Sequence, residues 1–205
     1  MTTTLYLIRH GETVWNREHR IQGSLDSPLT WRGCQQARRL GERLHLALEH
    51  DAVDRDHLHF QVSPLPRTLQ TAAIVGDVLG VPFSHWERDA RLRELAWGEW
   101  EGLRREDIEA RSPGAMDERE RDRWRHRPPG GETYGDGFQR AGEWLAALPE
   151  SSTLVVVSHG GIGRLLRGRY LGLEPTAILP LDAPQDALFR LRGRGMDRLA
   201  VSEIS

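Results

Sequence analysis

Two short stretches hold the residues able to do covalent chemistry. Leu5-Tyr6-Leu7-Ile8 runs into Arg9-His10-Gly11-Glu12-Thr13, and Leu154-Val155-Val156-Val157 runs into Ser158-His159-Gly160-Gly161. In each, an apolar run ends in a histidine followed by glycine. A histidine so placed sits at the C-terminal end of a buried strand, where open α/β sheets keep their ligand crevice. Arg9 adds a permanent charge with forked donors matched to phosphate oxygens. Gly11 lets the backbone turn sharply and approach a ligand. A nucleophilic imidazole beside a fixed cation is what phosphoryl transfer to histidine requires. Two such strand ends in one sheet would bring both imidazoles to one crevice.

The elements that must position them alternate along the chain. Strands are expected near residues 5–8, 58–62 and 153–157. A helix is expected from about Thr30, whose hydroxyl can cap it. Its residues Cys34, Ala37, Leu40, Leu44 and Ala47 recur every three or four positions and form one buried stripe. Further helices are expected over 66–79 and 160–171, ended by Gly80 and Gly172. Arg67 therefore follows a strand and opens a helix, where unpaired N–H groups favour an anion and a cation is disfavoured without one. This alternation predicts an α/β fold, a three-layer α/β/α sandwich around a mostly parallel central sheet. The tail reads as two short strands, 187–192 and 199–204, around Gly193-Arg194-Gly195 at a sheet edge.

The stretch 106–127 breaks the pattern. Arg119-Glu120-Arg121-Asp122-Arg123-Trp124-Arg125-His126-Arg127 alternates in charge, as a solvated helix or loop does. The other reading is a lid whose arginines meet a substrate. Pro128-Pro129-Gly130-Gly131 then returns the chain to the core. With no repeat and no long linker, residues 1–205 are expected to form a single domain with 97–131 as a lid-like insertion.

Composition narrows the function classes. The net charge of −2 over 205 residues gives no basis for nucleic-acid or anionic-membrane binding. No apolar run approaches a membrane span, and Met1-Thr2-Thr3-Thr4 does not read as a secretion signal, so a cytoplasmic location is expected. The single cysteine, Cys34, excludes an internal disulfide framework and reads as a packing residue. All 28 basic side chains are arginines, which rules out lysine Schiff-base and P-loop lysine chemistry. His57-x-His59 lacks partners at zinc spacing and reads as alternation on a strand edge. Gly160-Gly161-Ile162-Gly163 has the wrong spacing for a dinucleotide fingerprint, and Ser158 lacks the preceding glycine of a nucleophile elbow. Neither a metal nor an organic cofactor is expected.

The blocks Arg9-His10-Gly11-Glu12-Thr13-Val14-Trp15-Asn16, Gln22 to Thr30, Ser63-Pro64-Leu65-Pro66-Arg67-Thr68, Leu92-Arg93-Glu94 to Gly102, Pro129-Gly130-Gly131-Glu132 and Ser158-His159-Gly160-Gly161 occur in a familiar order. The chain resembles the histidine phosphatase superfamily, in its phosphoglycerate-mutase-like branch. That resemblance implies a metal-independent phosphomonoester hydrolase of small metabolites working through a phosphohistidine on His10. It implies that Arg9 and Arg67 clamp the phosphoryl oxygens, with His159 a further donor, neutral or as imidazolium, and Gly160 adding an N–H. It assigns the general acid and base to Glu94 over Glu99 and Glu101, a role that needs a proton held at neutral pH beside the phosphate dianion. Asn16 and Gln22 fit phosphate or substrate contacts, Gly23 a close backbone approach, and Glu12 the orientation of its neighbours.

A phosphoglycerate mutase is the enzymatic alternative, and a non-catalytic phospholigand-binding protein a third. The short stretch from Glu94 to Glu132 resembles the hydrolase branch. One segment departs from the family pattern. Where relatives carry asparagine and small hydroxyl residues, this chain has Ala183-Pro184-Gln185-Asp186-Ala187. The substrate is expected to be a small phosphomonoester, and a homodimer is compatible with the sequence. Trp97, Trp100, Trp124, Arg123 and Arg125 are candidates for packing or substrate contact.

Overall fold

A computed structural model describes residues 3–201. Its centre is a six-stranded sheet in the order β3-β2-β4-β1-β5-β6. The strands are β1 (Thr4–Arg9), β2 (Leu58–Val62), β3 (Trp86–Arg88), β4 (Thr153–Ser158), β5 (Ala187–Arg192) and β6 (Gly195–Ala200). β1 to β4 run parallel, and β5 and β6 complete the sheet antiparallel. The helices are α1 (Val14–Arg17), α2 (Trp31–His50), α3 (Pro66–Leu79), α4 (Arg105–Arg111), α5 (Ala115–Arg121), α6 (Tyr134–Ala146), α7 (Gly160–Leu171) and α8 (Pro175–Ile178).

Period-two alternation in β1 and β4 divides the core in two. Leu5, Leu7, Leu154 and Val156 pack with Trp144 of α6 and Ile162, Leu165 and Leu166 of α7. Tyr6, Ile8, Val155 and Val157 pack with Leu40 and Leu44 of α2 and Ala72, Val75 and Leu79 of α3. Strands buried on both faces read as continuous apolar runs, as these do. The expected α/β sandwich and its mostly parallel sheet are therefore present. Thr30 caps α2 by accepting from the Gly33 N–H at 3.0 Å. Gly80 and Gly172 end α3 and α7 in the left-handed conformation, as expected.

Several boundaries differ from the sequence reading. β6 begins at Gly195, because Gly193 (φ 61°) and Arg194 alone make the turn. Residues 202–204 of the expected final strand lie outside the described residues. Cys34 is only half-buried, and Gly33, Gly41 and Leu48 join the buried stripe instead. β3 pairs only with Phe60–Val62, so His59 is bordered by β4 alone, while His57 precedes the strand and pairs with Asp54 at 2.8 Å. β3 and α6 went unread.

The 97–131 segment folds around its own small core of Trp100, Ile108 and Met116, with Ile21, Trp97 and Leu103 against it. Backbone bonds from Ile21 N to Leu103 O (2.9 Å) and Gly102 N to Ile21 O (2.7 Å) dock it on the loop after α1. The alternating charges are not uniformly solvated. Arg119 is buried, with its guanidinium 4.2 Å over the Trp97 ring and Nη1 bonded to Glu120. Trp124 packs edge-on to Phe138, while Arg125 is exposed beside Asp122.

The loop after β1 lies directly on α2. A Cβ on Gly33 would stand 2.0 Å from the Glu12 carbonyl oxygen, and one on Gly11 would stand 2.2 Å from the Gly33 oxygen. Helix propensity alone favours Gly33→Ala by about 1 kcal/mol. The backbone clash reverses that sign, so the variant is expected to lose roughly 1–3 kcal/mol. Urea unfolding measures it; a stabilised variant would show that the loop can yield.

Candidate active site

Strand register builds the site. Arg9 of β1 lies opposite Ser158 of β4, so His10 and His159 leave adjacent parallel strands at one level. The His10 N–H donates to the Ser158 carbonyl at 3.0 Å. The two buried rings stand 5.2 Å apart, inclined by 65°.

The proton on each ring is fixed by its partners. His10 Nδ1–H donates to the Gly11 carbonyl at 2.8 Å, which leaves Nε2 with its lone pair. Burial, then the charges of Arg9 and Arg67, hold the His10 pKa well below the ordinary 6.5. Arg67 Nε–H donates to His159 Nδ1 at 3.2 Å, so the His159 proton sits on Nε2 and is donated to Ser63 Oγ at 2.7 Å. Burial, then Arg67, His10 and Arg9, hold His159 neutral as well. The imidazolium form is thus not what this geometry supports, since it would stand beside two arginines.

Arg67 is completely buried. Its Nη1 donates to Leu25 O (2.8 Å) and Asp26 Oδ1 (3.1 Å), and its Nη2 donates to Gly23 O (2.8 Å). With Nε on His159, four of about five guanidinium hydrogens are engaged and one on Nη2 remains for a phosphoryl oxygen. Arg9 donates through Nη1 to the Ala183 carbonyl, while its buried Nε has no protein partner among the described residues.

Glu94 lies beyond the 3-10 turn Ala90–Leu92. Its Oε1 accepts from Leu95 N (3.0 Å) and Ile162 N (2.9 Å), and its Oε2 from Gly161 N (2.9 Å). A carboxylate offers about four acceptor positions. One on Oε2 therefore remains to take or give a proton. The N–H of Gly160, first in α7, has no intrahelical partner. Arg9, Glu94, Trp97, Tyr134, Gly160 and Arg164 line one solvent-open cavity of about 190 Å³. Arg9 and Gly160 also line a small recess shared with His159.

The remaining expected residues occupy supporting positions. Gln22 donates to Thr13 Oγ1, and Asn16 closes a capping box with Thr13. Gly23 (φ 55°) is needed because a Cβ there would stand 2.1 Å from Glu101 Oε1. Glu12 accepts from the Thr30 hydroxyl at 2.7 Å, which fits an orienting role. Glu101 is taken up by Ser24 N (2.8 Å), Trp97 N (2.9 Å) and Leu25 N (3.0 Å), and Glu99 is exposed. Neither competes with Glu94 for the cavity.

Sequence reasoning gave no role to Ser63, Asp26, Arg164 or Gln185, and weighed Glu101 only as a rival acid. Ser63 and Asp26 lay inside recognised blocks, but a hydrogen bond across 96 residues leaves no local signature. Gln185 donates from Nε2 to the His10 carbonyl at 3.2 Å and to Asn16 Oδ1 at 3.0 Å. Among the described residues, no three of His, Cys, Asp and Glu stand together as a metal-holding group. No helix among them is long and apolar enough to cross a membrane.

Fold and site together define an α/β protein with two neutral imidazoles and two arginines at the C-terminal edge of a parallel sheet. The model of the histidine phosphatase superfamily (branch 1) matches residues 5–201, and the chain belongs to that superfamily of enzymes. A Salmonella paratyphi C protein named "Probable phosphoglycerate mutase GpmB" is 35% identical over 97% of this chain and 85% of its own. The α-ribazole phosphatase of Shigella flexneri superposes with a TM-score of 0.79 at 28% identity, covering 97% of this chain and 96% of that one. A mycobacterial glucosyl-3-phosphoglycerate phosphatase in complex with VO3 gives 0.77 at 30% identity, covering 97% and 99%.

The buried histidines tie stability to pH. In the unfolded chain each takes up a proton below about 6.5, whereas in the folded chain both stay neutral to lower pH. The unfolded state thus binds more protons, so this stability is full above 6.5 and is lost as pH falls. The urea midpoint is expected to drop between about pH 7 and pH 5, and less steeply in His159→Asn. Equal slopes in the two proteins would place the protonation elsewhere.

Proposed function

We propose that the protein is a metal-independent phosphomonoester hydrolase acting on small phosphorylated metabolites through a phosphohistidine on His10. The supporting observation is the His10 Nδ1–H bond to Gly11, which leaves Nε2 as a neutral nucleophile near the half-buried Arg9 and the buried Arg67. In the first step the Nε2 lone pair forms an N–P bond as the ester P–O bond breaks. The proton on Glu94 Oε2 passes to the leaving alkoxide. Arg9, the remaining Arg67 hydrogen, the Asn16 amide and the Gly160 N–H meet charge on the transferring group. In the second step water attacks phosphorus, Glu94 takes its proton, the N–P bond breaks and His10 returns to neutral.

The cavity of about 190 Å³ beside Glu94 suits a small leaving group, well below the roughly 300–1,000 Å³ of common ligand pockets. Its opening to solvent favours water as the acceptor over a retained sugar acid. Phosphatase names among structural neighbours at 28% and 30% identity support hydrolysis. The mutase name of the relative at 35% identity supports the second reading, transfer between hydroxyls of a phosphoglycerate. A small phosphomonoester as substrate, a homodimer and a cytoplasmic location fit either.

The deciding experiment measures phosphate release from a panel of phosphomonoesters, 3-phosphoglycerate included, in excess EDTA, with 2-phosphoglycerate quantified in the same tubes. Phosphate release that is lost in His10→Ala is expected. Isomerisation without release would make the protein a mutase. Glu94→Gln is expected to slow alkyl phosphates about 10²–10⁴-fold and activated aryl phosphates much less, since only the former need a proton on departure. Equal losses on both would move the acid elsewhere.

A further inference from the structure

The segment between α8 and β5, where this chain departs from the family pattern, sets the Gln185 side chain against the His10 backbone. We propose that Gln185 is a positioning residue that sets the nucleophile's backbone and aims the Asn16 amide at the transferring phosphoryl group. This rests on the phosphohistidine reading above.

Two of the groups around these amides have roles that cannot reverse. The His10 carbonyl only accepts, so the Gln185 atom 3.2 Å from it is the Nε2 amide. That nitrogen also lies 3.0 Å from Asn16, so it meets the Asn16 oxygen and not its nitrogen. The Thr13 backbone N–H, which only donates, lies 3.2 Å from the same Asn16 atom. Two independent donors therefore fix Asn16 Oδ1, and both its acceptor positions are used. Asn16 Nδ2 is turned the other way and donates to no protein group among the described residues. A side-chain amide free to flip would offer a phosphoryl oxygen either a donor or a repelling acceptor; this one offers a donor.

The same Gln185 amide grips the peptide between His10 and Gly11. Its carbonyl end is held by Gln185, and its N–H end by Thr71 Oγ1 at 3.2 Å. The His10 N–H is held in turn by Ser158 at 3.0 Å. The backbone of the nucleophile is thus restrained on both sides, and Gln185 supplies the bond from outside the sheet. Gln185 itself is placed by its neighbours. Arg164, Arg167 and Arg9 donate to the carbonyls of Leu181, Asp182 and Ala183 in succession, which straps this segment over the site.

Gln185→Met keeps the side chain's length and removes the donor. With the best phosphomonoester of the panel, kcat is expected to fall about tenfold with KM little changed, since one lost orienting bond is worth about that factor. In an Asn16→Ala background the same change is expected to cost less than about threefold, because the two residues act as a unit. A purely structural role would instead lower the melting midpoint and multiply fully with Asn16→Ala. Wild-type kcat in Gln185→Met, or full multiplication in the double variant, would overturn the proposal.

Gln185→Glu gives a measurement without turnover. It presents acceptor oxygens to the His10 carbonyl and to Asn16, which forces the Asn16 amide to flip. Orthovanadate, titrated calorimetrically, is expected to bind this variant at least tenfold more weakly than wild type. Equal affinity would overturn the proposal even if the Met variant folds poorly. A wild-type protein that binds vanadate but releases no phosphate would strike the hydrolase reading alone.

Discussion

A guanidinium with no exposed surface constrains everything around it. Burying an unpaired charge costs several kcal/mol, so the chain must bring partners to Arg67. It does so by folding the 23–26 loop inward, with the carbonyls of Gly23 and Leu25 and the carboxylate of Asp26 around the cation. The amide side of the same loop is held by Glu101, which accepts from Ser24 and Leu25. The loop is thus gripped through its carbonyls by an arginine of the core and through its N–H groups by a glutamate of the insertion. One consequence is mechanical, since the 97–131 segment is anchored to the sheet edge that carries the two histidines. The other is electrical, because Nε of the same arginine faces His159 and suppresses its charge.

Keeping both imidazoles neutral reconciles two demands. A nucleophile needs its lone pair, and a phosphoryl group needs cations. Arginines supply the charge without competing for the proton, as they stay protonated under any relevant condition. Holding charge on Arg9 and Arg67 rather than on the histidines separates the roles cleanly. The chain's exclusive use of arginine suits this arrangement, although lysine would also have matched the overall charge.

Legibility in the sequence followed the range of the interactions involved. The strand ends at His10 and His159, the cap at Thr30 and the glycine stops at Gly80 and Gly172 are local, and all were readable. Family blocks located Arg67 and Glu94. What they could not express was that Arg67 spends most of its donors on its own protein, or that Glu94 is seated on α7. Those facts arise from pairs 44 and 67 residues apart. Helix α6 carries Tyr134, Phe138, Ala141, Trp144 and Leu145 at helical spacing, a local signal that adjoins the dense charge run before it. Arg119 misled for a physical reason, since a charge run predicts solvation only where no aromatic face is at hand.

In the proposed reaction the first turn of α7 has two uses. A helix start offers unpaired N–H groups and a partial positive charge, and either an anionic ligand or a carboxylate can use them. Here they are divided. Gly161 and Ile162 give theirs to Glu94, and Gly160, whose N–H has no intrahelical partner, lines the cavity with Arg9. A side chain at 161 would end the arrangement, since its Cβ would stand 2.5 Å from Glu94 Oε1. The Gly160-Gly161 pair is thus the condition for seating an acid and an anion on one helix end. In the proposed reaction, proton donor and phosphoryl group would then be held in fixed relation by a single rigid element.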